Sequence, residues 1–230
     1  MKKNLYYIPA AFFVVAALVN WTGRILNNFE LASAVKPALL PLLAATVLAY
    51  AVEHKLNRRM LGLLVTAELF GCAGDIFLLS DAFLPFALGI AAFLTGHIFY
   101  MTLFGARSWK GMGWKGWLAG AVGVLVLVGV LMKVLHVQGA MLVPMAVYGM
   151  VLLTLGFCAL CGVIRCKENR STWWIILAGA FLFAFSDCII AAQTFGVVTF
   201  QLREFVIMST YVIAQTLLAW GAVRLAKQAA

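Results

Sequence analysis

The feature that most constrains the fold is a series of long apolar runs separated by short polar links. A helix needs about 20 predominantly apolar residues to cross the hydrocarbon core of a bilayer. Hydrophobic residues make up 65% of the chain and charged residues 11%, whereas soluble domains are about half apolar and about a quarter charged. The runs therefore predict an all-α, polytopic membrane protein, with residues 1–230 forming a single domain of eight transmembrane helices. The predicted spans are Leu5–Trp21, Pro37–Val52, Met60–Leu79, Phe83–Phe104, Trp117–Leu135, Met141–Ile164, Trp173–Phe195 and Phe205–Leu225. The first two are short, and we expect them to extend into their flanks.

The basic residues are distributed unevenly between the two sides that these spans define. Of the 17 Lys and Arg residues, all but Arg24, Lys36, Lys133 and Arg203 lie on the side that holds both termini, including Lys2 and Lys3. Because cytoplasmic loops are enriched in Lys and Arg, this asymmetry predicts that the N and C termini are cytoplasmic. It also accounts for the net charge of +9 without a nucleic-acid partner. We expect a multi-pass monomer in a bacterial inner membrane.

Ionisable residues inside the predicted spans are few, and such residues usually face a polar interior. Asp75 lies 15 residues after Met60, and Asp187 lies 14 residues after Trp173. At about 1.5 Å per residue, the two carboxyl groups are about 22 and 21 Å from the cytoplasmic edge. Their helices are four spans apart and run in the same direction. The sequence therefore predicts two aspartates at matched depth in the outer half of the membrane.

Other polar residues are predicted to join this pair in one pocket that opens to the non-cytoplasmic side. Depth alone assigns the mouth to Lys36, the middle to Tyr211, and the deeper part to the supporting residues Glu68, His97, Tyr100 and Gln215. The alternative interpretation is structural: polar side chains also hydrogen-bond neighbouring helices, and lysines extend to the membrane interface. The matched depth and the cost of burying charge favour a functional role for the two aspartates.

Five short motifs in these spans together resemble the YhhN family of membrane proteins, from the second helix to the eighth. The motifs are Lys36-Pro37, Gly74-Asp75, His97-x-x-Tyr100, Ser186-Asp187 and Tyr211-x-x-x-Gln215. The resemblance implies a lysoplasmalogenase, which cleaves the vinyl ether bond of a lysoplasmalogen to a fatty aldehyde and a glycerophospho-base. It also implies that Asp75 and Asp187 are the essential aspartates.

Vinyl ether hydrolysis is acid chemistry, and two carboxyl groups suit it. One must be protonated to deliver a proton to carbon, and the other must be a carboxylate; two carboxyls in one water-poor pocket titrate separately and can meet both needs. We hypothesise that Asp75 and Asp187 form this pair, in either order. Lys36 is predicted to bind the lipid phosphate, while Tyr211, His97 and Gln215 orient water or carboxylates.

Two other functional classes are compatible with the same residues. Intramembrane carboxylates and a histidine also form proton relays, so a proton-coupled transporter of lipids or small molecules is the chief alternative. A structural membrane protein without chemistry is the third. The sequence has no phosphate-binding loop, nucleophile elbow or H-E-x-x-H motif, and we expect neither a metal nor an organic cofactor.

Overall fold

A computed structural model describes residues 4–80 and 82–228, and these contain eight long α-helices and no strand. Each is long and apolar enough to cross a membrane, which confirms the predicted fold class. Lys2 and Lys3, which the charge count assigns to the cytoplasmic side, lie outside the described residues. The helices are α1 Tyr7–Ile25, α2 Phe29–His54, α3 Arg58–Phe77, α4 Phe83–Ser108, α5 Trp114–Val134, α6 Leu142–Arg165, α7 Arg170–Thr194 and α8 Arg203–Lys227.

The start of α2 differs most from the sequence-based prediction. The helix begins at Phe29 rather than Pro37, and the Asn28 side chain caps it by accepting a hydrogen bond from the backbone N–H of Leu31 at 3.1 Å. Pro37 therefore lies inside the helix, as membrane helices permit when neighbouring groups satisfy the freed backbone. Lys36 is consequently about two turns inside the helix, because the short predicted span extends into its N-terminal flank.

Seven of the helices form a closed ring, in the order α1, α2, α3, α4, α6, α7, α8, with α8 packing back on α1. Helix α5 packs against α6 outside this ring, and many of its large apolar side chains are exposed where lipid would lie. Helix α8 also contacts α2 and α3. Both aspartate-bearing helices, α3 and α7, therefore pack against the same helix, α8.

Two glycines allow close helix packing: Gly71 lets α3 approach both α2 and α8, and Gly179 lets α7 approach α8. A Cβ atom on Gly71 in α3 would lie 2.6 Å from Leu40 Cδ1 and 3.2 Å from Gln215 Nε2. A Cβ atom on Gly179 in α7 would lie 3.0 Å from Leu218 Cγ. Since small residues let membrane helices pack at short distances, these positions bring the polar side chains of α8 against α3.

Candidate active site

Asp75 is held in a buried ion pair between α2, α3 and α8. Lys36 Nζ lies 3.3 Å from Asp75 Oδ1, and the Tyr211 hydroxyl donates a hydrogen bond of 2.8 Å to Asp75 Oδ2. Asp75 is 2% exposed and Lys36 is 8% exposed. The predicted proximity of Tyr211 to Asp75 is therefore found, and Lys36 is the ion-pair partner of Asp75.

A chain of hydrogen bonds extends from Asp75 toward the opposite face of the membrane. Gln215 Nε2 lies 3.5 Å from the Tyr211 hydroxyl oxygen and donates to it, while the Tyr100 hydroxyl donates to Gln215 Oε1 at 2.8 Å. The Glu68 carboxyl lies beside Tyr100 and is 1% exposed. Neither Glu68 oxygen has a hydrogen-bond partner within the described part of the chain. These predicted supporting residues thus form one connected polar group with Asp75.

Asp187 belongs to a different group, formed by α6 and α7. The Tyr148 hydroxyl donates a short hydrogen bond to Asp187 Oδ2. Sequence reasoning missed Tyr148, although its depth in the membrane could have indicated it. Tyr148 lies six residues after the start of α6, and Asp187 lies seven residues before the end of the antiparallel α7, so the two residues are at similar depth.

His97 packs beside this second group without a hydrogen bond to either aspartate. Its Nδ1 atom lies 2.6 Å from the Phe93 carbonyl oxygen, while Nε2 is buried and has no partner among residues 4–80 and 82–228. The imidazole packs edge-on against the rings of Phe183 and Tyr148, with centroids 4.4 and 5.8 Å away. His97 therefore contributes to the wall behind Tyr148.

Asp75 and Asp187 lie at the same depth but do not touch. Each is 17 residues from the start of its helix, or about 26 Å along the helix axis. No hydrogen bond joins the two carboxyl groups in the described structure. Phe93 lies between the two groups: it packs edge-on against Tyr211, the partner of Asp75, and it lines the same pocket as Asp187.

Two adjoining spaces lead to Asp187. The first, which we call the inner pocket, is lined by Asp187, Tyr148 and apolar side chains that include Ile90, Phe93, Met145 and Phe195. The second, which we call the outer cavity, has a volume of about 750 Å³, and its polar lining is Arg24, Ser33, Lys36, Ser80, Gln193, Thr194, Arg203 and Glu204. They share the lining residues Leu78, Phe86, Ile190 and Thr194. Together they form an amphipathic space with a charged mouth and an apolar end that holds one carboxyl group.

Metal-binding geometry is not found in this region. Among the residues that the structure describes, no three His, Cys, Asp or Glu side chains come close enough to one another to hold an ion. The arrangement instead offers carboxyl, phenol and ammonium groups, which can transfer protons and bind an anionic or zwitterionic amphiphile.

Comparison with known proteins gives one family and several curated relatives. The model of the YhhN family matches residues 31–222. Lysoplasmalogenase TMEM86B of Rattus norvegicus is 34% identical over 139 residues, which cover 60% of this chain and 53% of that protein. The human protein of the same name is 30% identical over 168 residues, covering 70% of this chain and 64% of that protein. The match thus spans between about half and two thirds of the relatives' length, and no solved structure matches the chain.

Proposed function

Because this chain belongs to the YhhN family, we propose that it is a membrane-embedded hydrolase that cleaves the vinyl ether bond of lysoplasmalogens. The products are a fatty aldehyde and a glycerophospho-base. The names of its rat and human relatives support this substrate class. The structural observation that carries the proposal is a carboxyl group, Asp187, at the apolar end of an amphipathic cavity.

The reaction adds a proton to carbon before water enters. The acid protonates the vinyl carbon distal to the ether oxygen, and the remaining cation is an oxocarbenium ion shared between the other vinyl carbon and that oxygen. Water adds to this carbon and loses a proton to a carboxylate, which gives a hemiacetal. The hemiacetal hydroxyl then loses its proton as the carbon–oxygen bond to glycerol breaks and the glycerol oxygen gains a proton, and the aldehyde is released.

Asp187 is the better candidate for the proton donor, since it lines the apolar inner pocket beside which a vinyl ether would bind. The Tyr148 hydroxyl donates a hydrogen bond to Asp187 Oδ2. Asp187 Oδ1 has no hydrogen-bond partner among the described side chains, so this oxygen is free to carry the proton. General acid–base catalysis of this kind contributes about 10²–10⁴-fold to rate.

Asp75 is the candidate carboxylate. Lys36 supplies a counter-charge at 3.3 Å and Tyr211 supplies a hydrogen bond, and both interactions favour an ionised partner. Since Lys36 also lines the outer cavity, the Asp75–Lys36 pair adjoins the route by which water would reach the cation. In this position Asp75 would stabilise developing positive charge and accept the proton of the attacking water.

The charge distribution supports entry of substrate from the non-cytoplasmic side. Arg24, Lys36 and Arg203 line the outer cavity, and these are three of the four basic residues that the positive-inside rule assigns to that side. A lysolipid in the outer leaflet would thus bring its head group to the charged mouth and its vinyl ether toward the inner pocket.

The test of the proposed activity is aldehyde release by the purified protein in detergent. Two substrates are compared: a lysoplasmalogen, and the matched lysolipid with a saturated alkyl ether. Aldehyde from the vinyl ether alone supports the proposal. Absence of aldehyde from a folded, monodisperse protein across a range of head groups and chain lengths would contradict it.

One observation favours a second candidate function, a proton-coupled transporter. The hydrogen-bonded chain from Tyr100 through Gln215 and Tyr211 to Asp75 crosses part of the bundle interior, and such chains also conduct protons. Proteoliposomes loaded with a pH-sensitive dye discriminate the two. Substrate-dependent proton flux without aldehyde release would favour the transporter, and aldehyde release without flux would favour the hydrolase.

A further inference from the structure

The mouth of the outer cavity contains a buried guanidinium group that is only partly paired. The Arg24 side chain is 10% exposed, and its Nη1 atom donates to Glu204 Oε2 at 3.0 Å. Its Nε atom is buried and has no partner within the described residues. Because a buried donor without a partner is costly and Arg24 lines the outer cavity, the incomplete pairing of this guanidinium group indicates that a ligand completes the site.

A second arginine on the same cavity wall is also incompletely paired. The Arg203 Nε atom lies 3.9 Å from Glu204 Oε1, which is too far for a hydrogen bond, and it too lacks a partner among the residues described. Gln193 Nε2 donates to Glu204 Oε1 at 3.3 Å. Glu204 therefore fixes Arg24 through one oxygen and Gln193 through the other, and leaves guanidinium donors of both arginines available.

The charge of the mouth favours an anion. Three basic side chains (Arg24, Lys36 and Arg203) and one carboxylate (Glu204) line the outer cavity. Lys36 is already paired with Asp75, so the surplus positive charge belongs to the two arginines. Arg203 and Glu204 also open α8, and the N-terminal end of a helix favours negative charge.

We propose that Arg24 and Arg203 form the subsite for the phosphate group of the lysolipid, with Glu204 as the residue that positions Arg24. This inference deepens the proposed function and rests on it for the identity of the lipid. A guanidinium group presents a planar set of N–H donors that matches two phosphate oxygens at once. This assignment replaces Lys36 as the main phosphate ligand and leaves Lys36 to hold Asp75.

Arg24 lies outside the region of the chain that the family model matches. The family model begins at residue 31, whereas Arg24 lies in the last turn of α1. The subsite would therefore combine one residue from α1 with one from α8, and head-group affinity would depend on how these two helices pack. The subsite would govern binding of the head group and not the proton transfer at Asp187.

The experiment measures binding rather than turnover, so it is independent of the hydrolase test. A saturated alkyl ether lysophospholipid is titrated against the full-length protein in detergent, beside a phosphate-free 1-alkylglycerol and inorganic phosphate. The variants are Arg24→Gln, Arg24→Lys and Arg203→Gln. Arg59→Gln is the matched control, because Arg59 is an exposed arginine at the start of α3. The opposite end of α3 faces the outer cavity, so Arg59 lies away from the proposed subsite.

Arg24→Gln and Arg203→Gln are each expected to weaken lysophospholipid binding by about 10-fold or more, the loss expected for a charged hydrogen bond. Alkylglycerol binding should be unchanged in both, and Arg59→Gln should match the wild type for all probes. Arg24→Lys should bind with intermediate affinity, because it keeps the charge and loses the planar donors.

Three results would overturn the subsite. Unchanged lysophospholipid affinity in both glutamine variants would remove the arginines from binding. An equal loss for alkylglycerol would mean that the variants damage the cavity rather than phosphate recognition. Inorganic phosphate that binds as tightly as the lysophospholipid would identify a site for the free ion instead of a lipid head group.

Discussion

The two intramembrane aspartates lie at equal depth on parallel helices, yet their surroundings are opposite. Asp75 is enclosed by α2, α3 and α8, with a cation on one oxygen and a phenol on the other. Asp187 has a phenol on one oxygen and borders an apolar pocket. Depth along a helix therefore identifies functional candidates but not their roles. A fully paired carboxylate is suited to hold charge, whereas a carboxyl group on a cavity wall is suited to deliver a proton.

The largest expected difference between the two regions is in catalysis at the cavity. Asp187→Asn should lower the rate of aldehyde release by about 10²–10⁴-fold, because an amide cannot deliver the proton. Its melting temperature in detergent should stay close to that of the wild type, since no buried cation loses its partner. The matched control is Glu168→Gln, an exposed acid in the link between α6 and α7, which should retain full activity. Near-normal turnover in the Asp187 variant would exclude this residue as the acid.

The next difference concerns stability at the enclosed ion pair. Asp75→Asn leaves the Lys36 ammonium group buried without its carboxylate, and breaking a buried pair in this way costs about 3–5 kcal/mol. Thermal unfolding should therefore occur at a clearly lower temperature than in Asp187→Asn. The double variant Lys36→Met with Asp75→Asn should recover part of the lost stability, because it removes the unpaired charge. Equal melting temperatures for the two Asn variants would contradict the contrast drawn between the regions.

A smaller effect is expected where α3 packs on α2 and α8. Gly71→Ala introduces a Cβ atom 2.6 Å from Leu40 Cδ1 and 3.2 Å from Gln215 Nε2, and overpacking of this kind costs about 1–3 kcal/mol. The control is Gly129→Ala in α5, where a Cβ atom meets nothing within 4 Å. Thermal unfolding of both variants measures the difference. A Gly71 variant as stable as the Gly129 variant would mean that the contacts of α3 with α2 and α8 adjust freely.

The smallest predicted effect is at Tyr148. Tyr148→Phe removes the hydrogen bond to Asp187 and should lower turnover by about 5–10-fold, corresponding to about 1 kcal/mol. Steady-state kinetics should show the loss in kcat rather than KM, because the phenol contacts the carboxyl group and not the head group. Tyr211→Phe, the matched change at Asp75, should lower the melting temperature as well. If Tyr148→Phe and Tyr211→Phe changed kcat and melting temperature by the same amounts, the two aspartates would not have the different roles proposed for them.

Much of the fold could be predicted from the sequence because lipid imposes length and polarity on each helix. Hydropathy defined all eight spans, and depth along the helices brought Asp75 and Tyr211 together correctly. The extent of the flank of α2 could not be read from the apolar run, because the helix starts at Phe29 through the Asn28 cap.

The rest of the site depends on how each helix is rotated and which helices are neighbours, and depth determines neither. Nothing in the apolar pattern of α6 indicates that Tyr148 faces α7, since this helix packs against several others. Arg24 and Arg203 also resemble ordinary interfacial charges at helix ends. Only the packing of α1 against α8 brings both arginines to one cavity wall.

The most direct test of the central claim is the position of deuterium in the product when the wild-type protein acts in D₂O. If a fixed carboxyl group protonates carbon, the aldehyde, trapped at once as an oxime, should carry a single deuterium on the carbon next to the carbonyl group. That deuterium should occupy one stereochemical position, because Asp187 would approach the double bond from one face. Aldehyde without deuterium at that carbon, or with the label divided equally between both faces, would contradict proton delivery by Asp187.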